Sequence, residues 1–144
     1  TPMSGSNNPY NGSFGNQMSA TASFGATPEP AAAAGSYIKD TTTATFGKDV
    51  IEDSRNQPVL VDFWAPWCGP CRQMAPGYEQ AAAQLEPHVR LAKVDTEAVP
   101  ALGARFNIRS IPTLALFRGG REVARQAGAM GAADIVRWVK AHGG

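Results

Sequence analysis

Cysteine and histidine are scarce in this sequence, with two of each among 144 residues. Two cysteines cannot build the disulfide framework on which small secreted domains depend. A structural zinc site needs four ligands, and only His88 and His142 could join the two cysteines, with no second paired motif. A c-type haem attachment needs histidine directly after the second cysteine, where the chain has Arg72. The sequence therefore predicts no metal and no haem.

Long apolar runs and a dominant charge sign are also missing. No stretch approaches the roughly 18 apolar residues that a membrane-spanning helix needs, and no basic region followed by an apolar region indicates a secretory signal. The formal net charge is +1, without the clustered basic face of a nucleic-acid-binding protein. We therefore expect a cytoplasmic protein with no nucleic acid or membrane as partner. The reducing cytoplasm keeps a cysteine pair available for reaction.

Charge is nearly absent from residues 1–35, where Glu29 is the one charged side chain. This region consists mostly of Gly, Ser, Asn, Thr, Ala and Pro. Its few aromatic residues cannot bury enough surface to offset the entropy of ordering it. We predict a disordered low-complexity N-terminal tail at 1–35 and a folded domain at 36–144. The alternative is that Phe14 and Phe24 are docking motifs.

From residue 36 onward, apolar residues recur with the spacing of strands and helices. PVLVDFWA is a nearly continuous apolar run, which favours a central strand buried on both faces. The helix after it should extend over 69–85 and continue, with a kink, through Pro76. FRGGREV predicts a hairpin through Gly119 and Gly120.

The remaining segments complete an α/β pattern. Tyr37-Ile38 favours a short edge strand, and TTTATFGKDVIEDS favours a helix with a threonine N-cap. The apolar residues of that helix should share one face: Phe46, Val50 and Ile51. HVRLAKVD predicts a strand, and VPALGARFN predicts a short helix. PTLALF predicts a further strand, and ADIVRWVKAH predicts a final helix. The order βαβαβαββα predicts a central mixed sheet of about five strands with helices on both faces.

Both cysteines belong to WAPWCGPCR, where the buried strand gives way to the helix. Cys68 should begin the helix, and Cys71 should follow one turn later on the same face, within disulfide distance. Free backbone N–H groups and the positive end of the helix dipole favour an anion there, so Cys68 should ionise more readily than an ordinary thiol. Pro70 presets the helical backbone angle where no donor is needed, and Gly69 keeps bulk away from the attacking sulfur.

This arrangement predicts dithiol redox chemistry. Cys68 would attack a substrate disulfide, and Cys71 would then resolve the mixed disulfide and leave the protein oxidised. A purely structural disulfide is the alternative, but a bond that closes so small a loop would add little stability.

Over roughly residues 36–144, the chain resembles the thioredoxin family. The motifs are VDFWAPWCGPC, then Pro76 in the following helix, AKVD, RSIPT, FRGGRE and AGA, in the family's order and spacing. The resemblance implies the thioredoxin fold. FWAPWCGPCRQMAP and ARFNIRSIPT are most similar to the second bacterial thioredoxin, whose zinc segment has no counterpart here, and the flank before the cysteines is similar to bacterial chaperedoxins. Ser110 and Asn107 stand where glycine is common in the family, and Asn tolerates positive φ.

The resemblance implies a role for Asp62, which lies inside the apolar strand, where an ionised carboxylate is costly to bury. The matching aspartate in thioredoxins is a buried proton acceptor that helps the second cysteine, here Cys71, become a thiolate. A pKa of Asp62 raised by burial would suit that task. Lys93 in AKVD matches the family's lysine near this aspartate and would tune it. The alternatives are a hydrogen-bonded core carboxylate and a solvated strand lysine.

The resemblance also implies a substrate groove beside the cysteines. Ile111-Pro112 matches the family's cis-proline loop, which faces the cysteines and offers the Ile111 backbone to an extended substrate chain. The alternatives are that Pro112 is an ordinary turn proline and that Gly128 supplies only backbone freedom. A shallow apolar groove should be completed by residues from three segments: Trp67, Ile111, and Ala127-Gly128-Ala129.

By the same resemblance, we expect a protein-disulfide reductase that needs no bound cofactor. Thioredoxin reductase would regenerate this protein with electrons from NADPH. The substrates of this protein would be disulfide-containing proteins, and this protein would act as a monomer. A disulfide oxidant or isomerase is one alternative, although such relatives more often have histidine between the cysteines. A redox-linked holdase chaperone or interaction module, in which the tail or the groove does the main work, is another.

Overall fold

The structure is a computed structural model, and it describes residues 38–143 of the chain. The predicted tail at 1–35 and Tyr37 of the predicted first strand lie outside the described residues. The domain boundary after residue 35 therefore stays a prediction. Within the described range, no helix combines the length and the apolar character needed to cross a bilayer.

The architecture is a mixed five-stranded sheet with the spatial order β1-β3-β2-β4-β5. β1 and β2 each pair in parallel with β3, whereas β4 runs antiparallel to both β2 and β5. This order confirms the predicted α/β fold with a short edge strand and a closing hairpin. The strands span Ile38–Asp40 (β1), Val59–Trp64 (β2), Arg90–Asp95 (β3), Thr113–Arg118 (β4) and Arg121–Ala127 (β5).

Within residues 38–143, three α-helices and one irregular helical segment cover the sheet. The α-helices are Gly69–Leu85 (α1), Pro100–Arg105 (α2) and Ala132–Ala141 (α3). α1 and α3 pack on one face through Tyr78 and Ile135, among others. α2 and the segment around Phe46 pack on the opposite face. Helices therefore cover both faces, as the sequence predicted.

β2 is the central strand, and Val59 to Phe63 are buried. Side chains alternate between the faces of a strand, and Leu60 accordingly belongs to the core under α1 and α3, whereas Val61 belongs to the opposite core. Asp62 is two residues after Leu60 and therefore lies on the face that α1 covers. The apolar run PVLVDFWA thus places one carboxylate beneath the helix that carries the cysteines.

α1 has the predicted bounds and continues through Pro76. Its face toward the sheet is anchored by a polar contact, because the Tyr78 hydroxyl lies 2.8 Å from the carbonyl oxygen of Ala92 and 3.0 Å from that of Leu60. These carbonyls belong to β3 and β2, so the hydroxyl fixes the helix across two strands.

The predicted first helix differs in form. It consists of a π-helical segment, Gly47–Glu52, followed by a 3₁₀ turn, Asp53–Arg55. Phe46 and Val50 are buried as expected, and Ile51 is half-buried against the same core.

The predicted threonine N-cap of this segment is wrong. Phe46 occupies the cap position, and no side chain there accepts a hydrogen bond from the helix. The Thr45 hydroxyl instead accepts a bond of 3.0 Å from the backbone N–H of Thr42 in the preceding turn. That turn already binds the Phe46 N–H through the Thr42 carbonyl, at 2.8 Å. Backbone and hydroxyl partners within the turn have therefore replaced the expected cap.

Two turns depend on left-handed backbone conformations. Gly119 and Gly120 have φ values of 62° and 87° and join β4 to β5. Two consecutive positive φ angles are those of a tight hairpin turn, which confirms the hairpin prediction. Asn107 has φ 55°, as expected from the tolerance of asparagine for this region.

Candidate active site

The two cysteines lie where β2 ends and α1 begins. Cys68 is the N-cap residue of α1, and its Sγ accepts a hydrogen bond of 3.2 Å from the backbone N–H of Cys71. Pro70 stands in the first turn, where a missing N–H costs nothing. The sequence prediction of one cysteine at the helix start and the other one turn later is therefore confirmed.

Cys68 and Cys71 are joined by a disulfide, with their Cα atoms 5.3 Å apart. Both residues are nearly buried, at 5% and 2% exposure. Their neighbours Trp67, Gly69 and Pro70 are exposed. The disulfide is therefore nearly buried, but the residues next to Cys68 in the chain are accessible to solvent.

A loop before β4 faces the cysteines. The Ile111–Pro112 peptide is cis, as the sequence predicted, and the carbonyl oxygen of Ile111 lies 3.8 Å from Cys68 Sγ. The Pro112 carbonyl accepts a hydrogen bond of 2.9 Å from the N–H of Gly128, at the end of β5. Gly128 has φ 101°, a conformation that favours glycine. The predicted segments around Ile111 and Gly128 are therefore brought together with Cys68.

A cavity of about 310 Å³ opens beside the cysteines. Trp67 and Ile111 line it as predicted, and Trp67 is 67% exposed. Ala127, Gly128 and Ala129 are exposed but are not among its lining residues. The lining continues instead along α2 and the loop before the cis peptide: Thr96, Pro100, Gly103, Ala104, Ile108, Arg109 and Ser110.

Apart from Ser110, these additional lining residues were not identified from the sequence. The available signal was Asn107, where a positive φ turns the chain after α2 back toward the cysteines. The residues between this turn and the cis peptide therefore line the same cavity as Ile111. Ile108 and Arg109 could have been identified in that way.

Asp62 is buried, at 1% exposure, and its Oδ1 has no hydrogen-bond partner among residues 38–143. Burial raises the pKa of Asp62 from the ordinary value of 3.8 to about 7, and the positive charge of Lys93 partly opposes this effect. The expectation of a pKa raised by burial is therefore confirmed. The carboxyl group can take up and release a proton near neutral pH.

Lys93 lies next to Asp62 in the sheet but does not form an ion pair with it. The two residues are directly paired in the parallel β2–β3 register. The Lys93 ammonium instead lies 4.2 Å from the centroid of the Trp64 ring, and the described ion pairs do not include it. A cation over an aromatic face is attracted by the ring quadrupole. Lys93 therefore acts on Asp62 through its field and not through contact.

Trp64 connects this pair to the cysteines. Its carbonyl accepts hydrogen bonds from the N–H and the hydroxyl of Thr96, at 2.8 and 3.0 Å. Its side chain packs against the cluster of Ala65, Cys68 and Cys71. Among residues 38–143, no group of three or more His, Cys, Asp or Glu side chains is arranged to hold a metal ion.

Comparison with known proteins gives one family. The thioredoxin family model matches residues 37–141. Thioredoxin C-3 of Corynebacterium nephridii is 54% identical over 82 residues, which are 57% of this chain and 56% of that protein. Thioredoxin 1 of a Nostoc species is 42% identical over 101 residues, covering 70% of this chain and 92% of the relative. A bifunctional thioredoxin reductase/thioredoxin of Mycobacterium leprae is 45% identical over 68% of this chain and 21% of its own length.

The raised pKa of Asp62 predicts how stability depends on pH. Between its ordinary value of 3.8 and about 7, the unfolded chain has lost the proton that the folded protein retains, so stability falls as pH rises. Above about pH 7 the full cost is present, and the pKa difference corresponds to roughly 4 kcal/mol. Asp62→Asn should therefore raise the free energy of unfolding of the oxidised protein at about pH 8, and this gain should vanish at about pH 4.

Urea denaturation at several pH values measures this difference. Glu79→Gln is the matched control, because it removes one carboxylate from an exposed position of α1. A constant difference between Asp62→Asn and the unmodified protein across this pH range would contradict the assignment.

Proposed function

The chain belongs to the thioredoxin family, and from this premise we propose that Cys68 attacks protein disulfides and that Cys71 releases the product. As a member of that family the chain is a thiol–disulfide oxidoreductase of the disulfide-reductase type. The observation that carries the proposal is the Cys71 N–H bonded to Cys68 Sγ at the start of α1. That hydrogen bond and the helix dipole favour negative charge on the Cys68 sulfur.

The proposed reaction has two exchange steps. In the reduced protein, the Cys68 thiolate attacks one sulfur of the substrate disulfide, forms a mixed disulfide and expels the other substrate sulfur as a thiolate, which takes up a proton. The Cys71 thiolate then attacks Cys68 Sγ and expels the second substrate sulfur. Two electrons pass to the substrate, and the Cys68–Cys71 disulfide is the oxidised product.

Asp62 is proposed as the base that takes the proton of Cys71. Cys71 is a nearly buried residue of α1, and Asp62 lies on the face of the sheet that α1 covers, so water has little access to that thiol. A carboxylate with a pKa of about 7 is suited to accept a proton at neutral pH. Lys93 would tune Asp62, because its positive charge favours the ionised form.

The proposed substrate site combines main-chain pairing with a small apolar surface. The backbone of Ile111 makes no backbone hydrogen bond among the described residues and lies beside Cys68. An extended substrate segment can therefore add to it as a strand adds to a sheet edge. Trp67 would supply the apolar contact, and the exposed Ala127-Gly128-Ala129 segment would border the other part of the loop. Main-chain recognition of this kind accepts many different protein disulfides.

Regeneration is proposed to come from thioredoxin reductase with electrons from NADPH. The family relationship supports this partner, and one relative has both activities in its name. The reaction proposed for the chain uses its own cysteines and needs no bound cofactor. The monomeric state and the cytoplasmic location expected from the sequence stay predictions. The holdase or interaction module and the oxidant or isomerase remain alternatives that the following experiment separates.

The order of attack is tested by reduction of insulin disulfides with dithiothreitol. The intact protein and a variant lacking residues 1–35 should both catalyse the reaction, and Cys68→Ser should be inactive because no nucleophile remains. Cys71→Ser should accumulate mixed disulfides with substrates, since nothing releases them. Activity in Cys68→Ser would contradict the assignment of the nucleophile. Prevention of client aggregation that survives Cys68→Ser would favour the holdase.

The proposed role of Asp62 predicts a defect in the second step. Asp62→Asn should slow release of a preformed mixed disulfide at pH 7 on the order of 100-fold, the contribution of a positioned base. The first attack by Cys68 should change much less. Stopped-flow fluorescence of Trp64 and Trp67 in single turnover separates the steps, with Glu79→Gln as control. Equal slowing of both steps would show that Asp62 is not the base for Cys71.

A further inference from the structure

A large cationic recess lies at the end of the sheet away from the cysteines. It has a volume of about 710 Å³ and is lined by residues from the 3₁₀ turn and from the β4–β5 hairpin. Three of its lining residues are arginines, Arg55, Arg118 and Arg121, and none is acidic. The proposed redox cycle uses none of these residues.

The three guanidinium groups have no carboxylate partners among the described residues. The ion pairs there involve Lys39, Arg90, Arg125 and Arg137 instead. Glu122, which follows Arg121 in β5, is bound to Arg125. The recess is therefore bordered by three positively charged side chains, and its lining includes no acidic residue.

Arg118 and Arg121 have like charges at paired positions of the hairpin. They are directly paired at its mouth, on either side of Gly119 and Gly120. Like charges directly opposite each other on antiparallel strands are destabilising, and opposite charges at such positions are the stabilising choice. An anion bound by both arginines would offset this unfavourable pairing of like charges.

The third arginine is held against the same turn. A Cβ atom at Gly120 would lie 3.0 Å from Arg55 Nε and Nη2, so Arg55 packs against the bare backbone of the turn. Buried Ser54 fixes this arrangement, because its hydroxyl accepts from the Gly120 N–H at 2.9 Å and its carbonyl from the Gly119 N–H at 2.8 Å. The turn is thus tied to the 3₁₀ segment, and its N–H groups are already used.

We propose that this recess binds a small molecule that carries a diphosphate group. Each guanidinium group can donate two parallel hydrogen bonds to phosphate oxygens. Several such groups therefore match the adjacent oxygens of a diphosphate better than the two oxygens of a single carboxylate. The volume is within the range of small-ligand sites. The exposed side chain of Val123 and the amides of Asn56 and Gln57 border the recess and would contact the remainder of such a ligand.

The site is separate from the cysteines. Pro58 lines the recess just before β2 begins, whereas Trp64 ends β2 beside the cysteines. Six strand residues span about 20 Å. A ligand in the recess therefore leaves Cys68 accessible, and the recess variants should reduce insulin like the unmodified protein.

Isothermal titration of the full chain with sodium pyrophosphate at low ionic strength tests the proposal. We expect one saturable site whose affinity falls at least about tenfold in Arg118→Gln and in Arg121→Gln, since each loses a charge-assisted contact. Arg137→Gln is the matched control, because it removes an exposed arginine of α3 and gives the same net charge. It should change the affinity less than about twofold.

Thermal unfolding gives a second readout that does not depend on the titration heat. Pyrophosphate should raise the midpoint of the unmodified protein and of Arg137→Gln but not that of Arg118→Gln. Absence of saturable binding, or an equal loss in Arg137→Gln, would overturn the proposal. So would orthophosphate, or an acidic glutamate peptide, binding as tightly as pyrophosphate, because the diphosphate assignment would then be wrong.

Discussion

The hydrogen bond from the Cys71 N–H to Cys68 Sγ depends on a junction between a buried strand and a helix. β2 is central in the sheet, with β3 and β4 on either side, and its last residue, Trp64, is paired with Asp95 of β3. α1 is fixed above the same face by the Tyr78 hydroxyl and by apolar contacts. The N-terminus of α1 therefore has little freedom, and the Cys71 amide donates to the Cys68 sulfur. The charge of that sulfur is stabilised by groups that do not have to reorganise during the reaction.

The same junction explains why a costly carboxylate is present in the core. Asp62 is in β2, two residues before the strand ends, and no group in the described part of the chain forms a hydrogen bond with its Oδ1. An ion pair with Lys93 would hold it ionised at all relevant pH values. Because the Lys93 ammonium packs over Trp64 instead, the carboxyl group retains a pKa of about 7. Burial of this carboxyl group therefore lowers stability at neutral and alkaline pH, and the proposed role of Asp62 as the base for Cys71 depends on the same raised pKa.

The sequence was sufficient for the features that depend on local pattern. The apolar run of β2, the bounds of α1, the positions of Cys68 and Cys71, and the Gly119-Gly120 hairpin follow from burial, helix geometry and glycine conformation. The cis peptide at Ile111-Pro112 was expected only through the resemblance to thioredoxins. Each of these features is set mainly by residues close together in the chain or by a specific motif.

Features that depend on contacts between distant segments were not predicted. The π-helical form of Gly47–Glu52 arises where Phe46 and Val50 pack into the core, and hydrogen bonds in the preceding turn replace the expected cap. The α2 side of the cavity was missed because Ala104 and Ile108 reach Trp67 only in three dimensions. Lys93 is directly paired with Asp62 in the strand register, but its ammonium lies over Trp64, whose register partner is Asp95, and the register alone does not predict that placement.

The central claim is that the two cysteines have unequal electrostatic environments. Its most direct test is a pH titration of the fully reduced protein, with each cysteine Cβ followed separately by NMR after ¹³C labelling. The account predicts that Cys68 loses its proton at a lower pH than a cysteine in an unfolded peptide, and that Cys71 loses its proton at a higher pH than Cys68. Coincident titrations, or Cys71 ionising first, would contradict it.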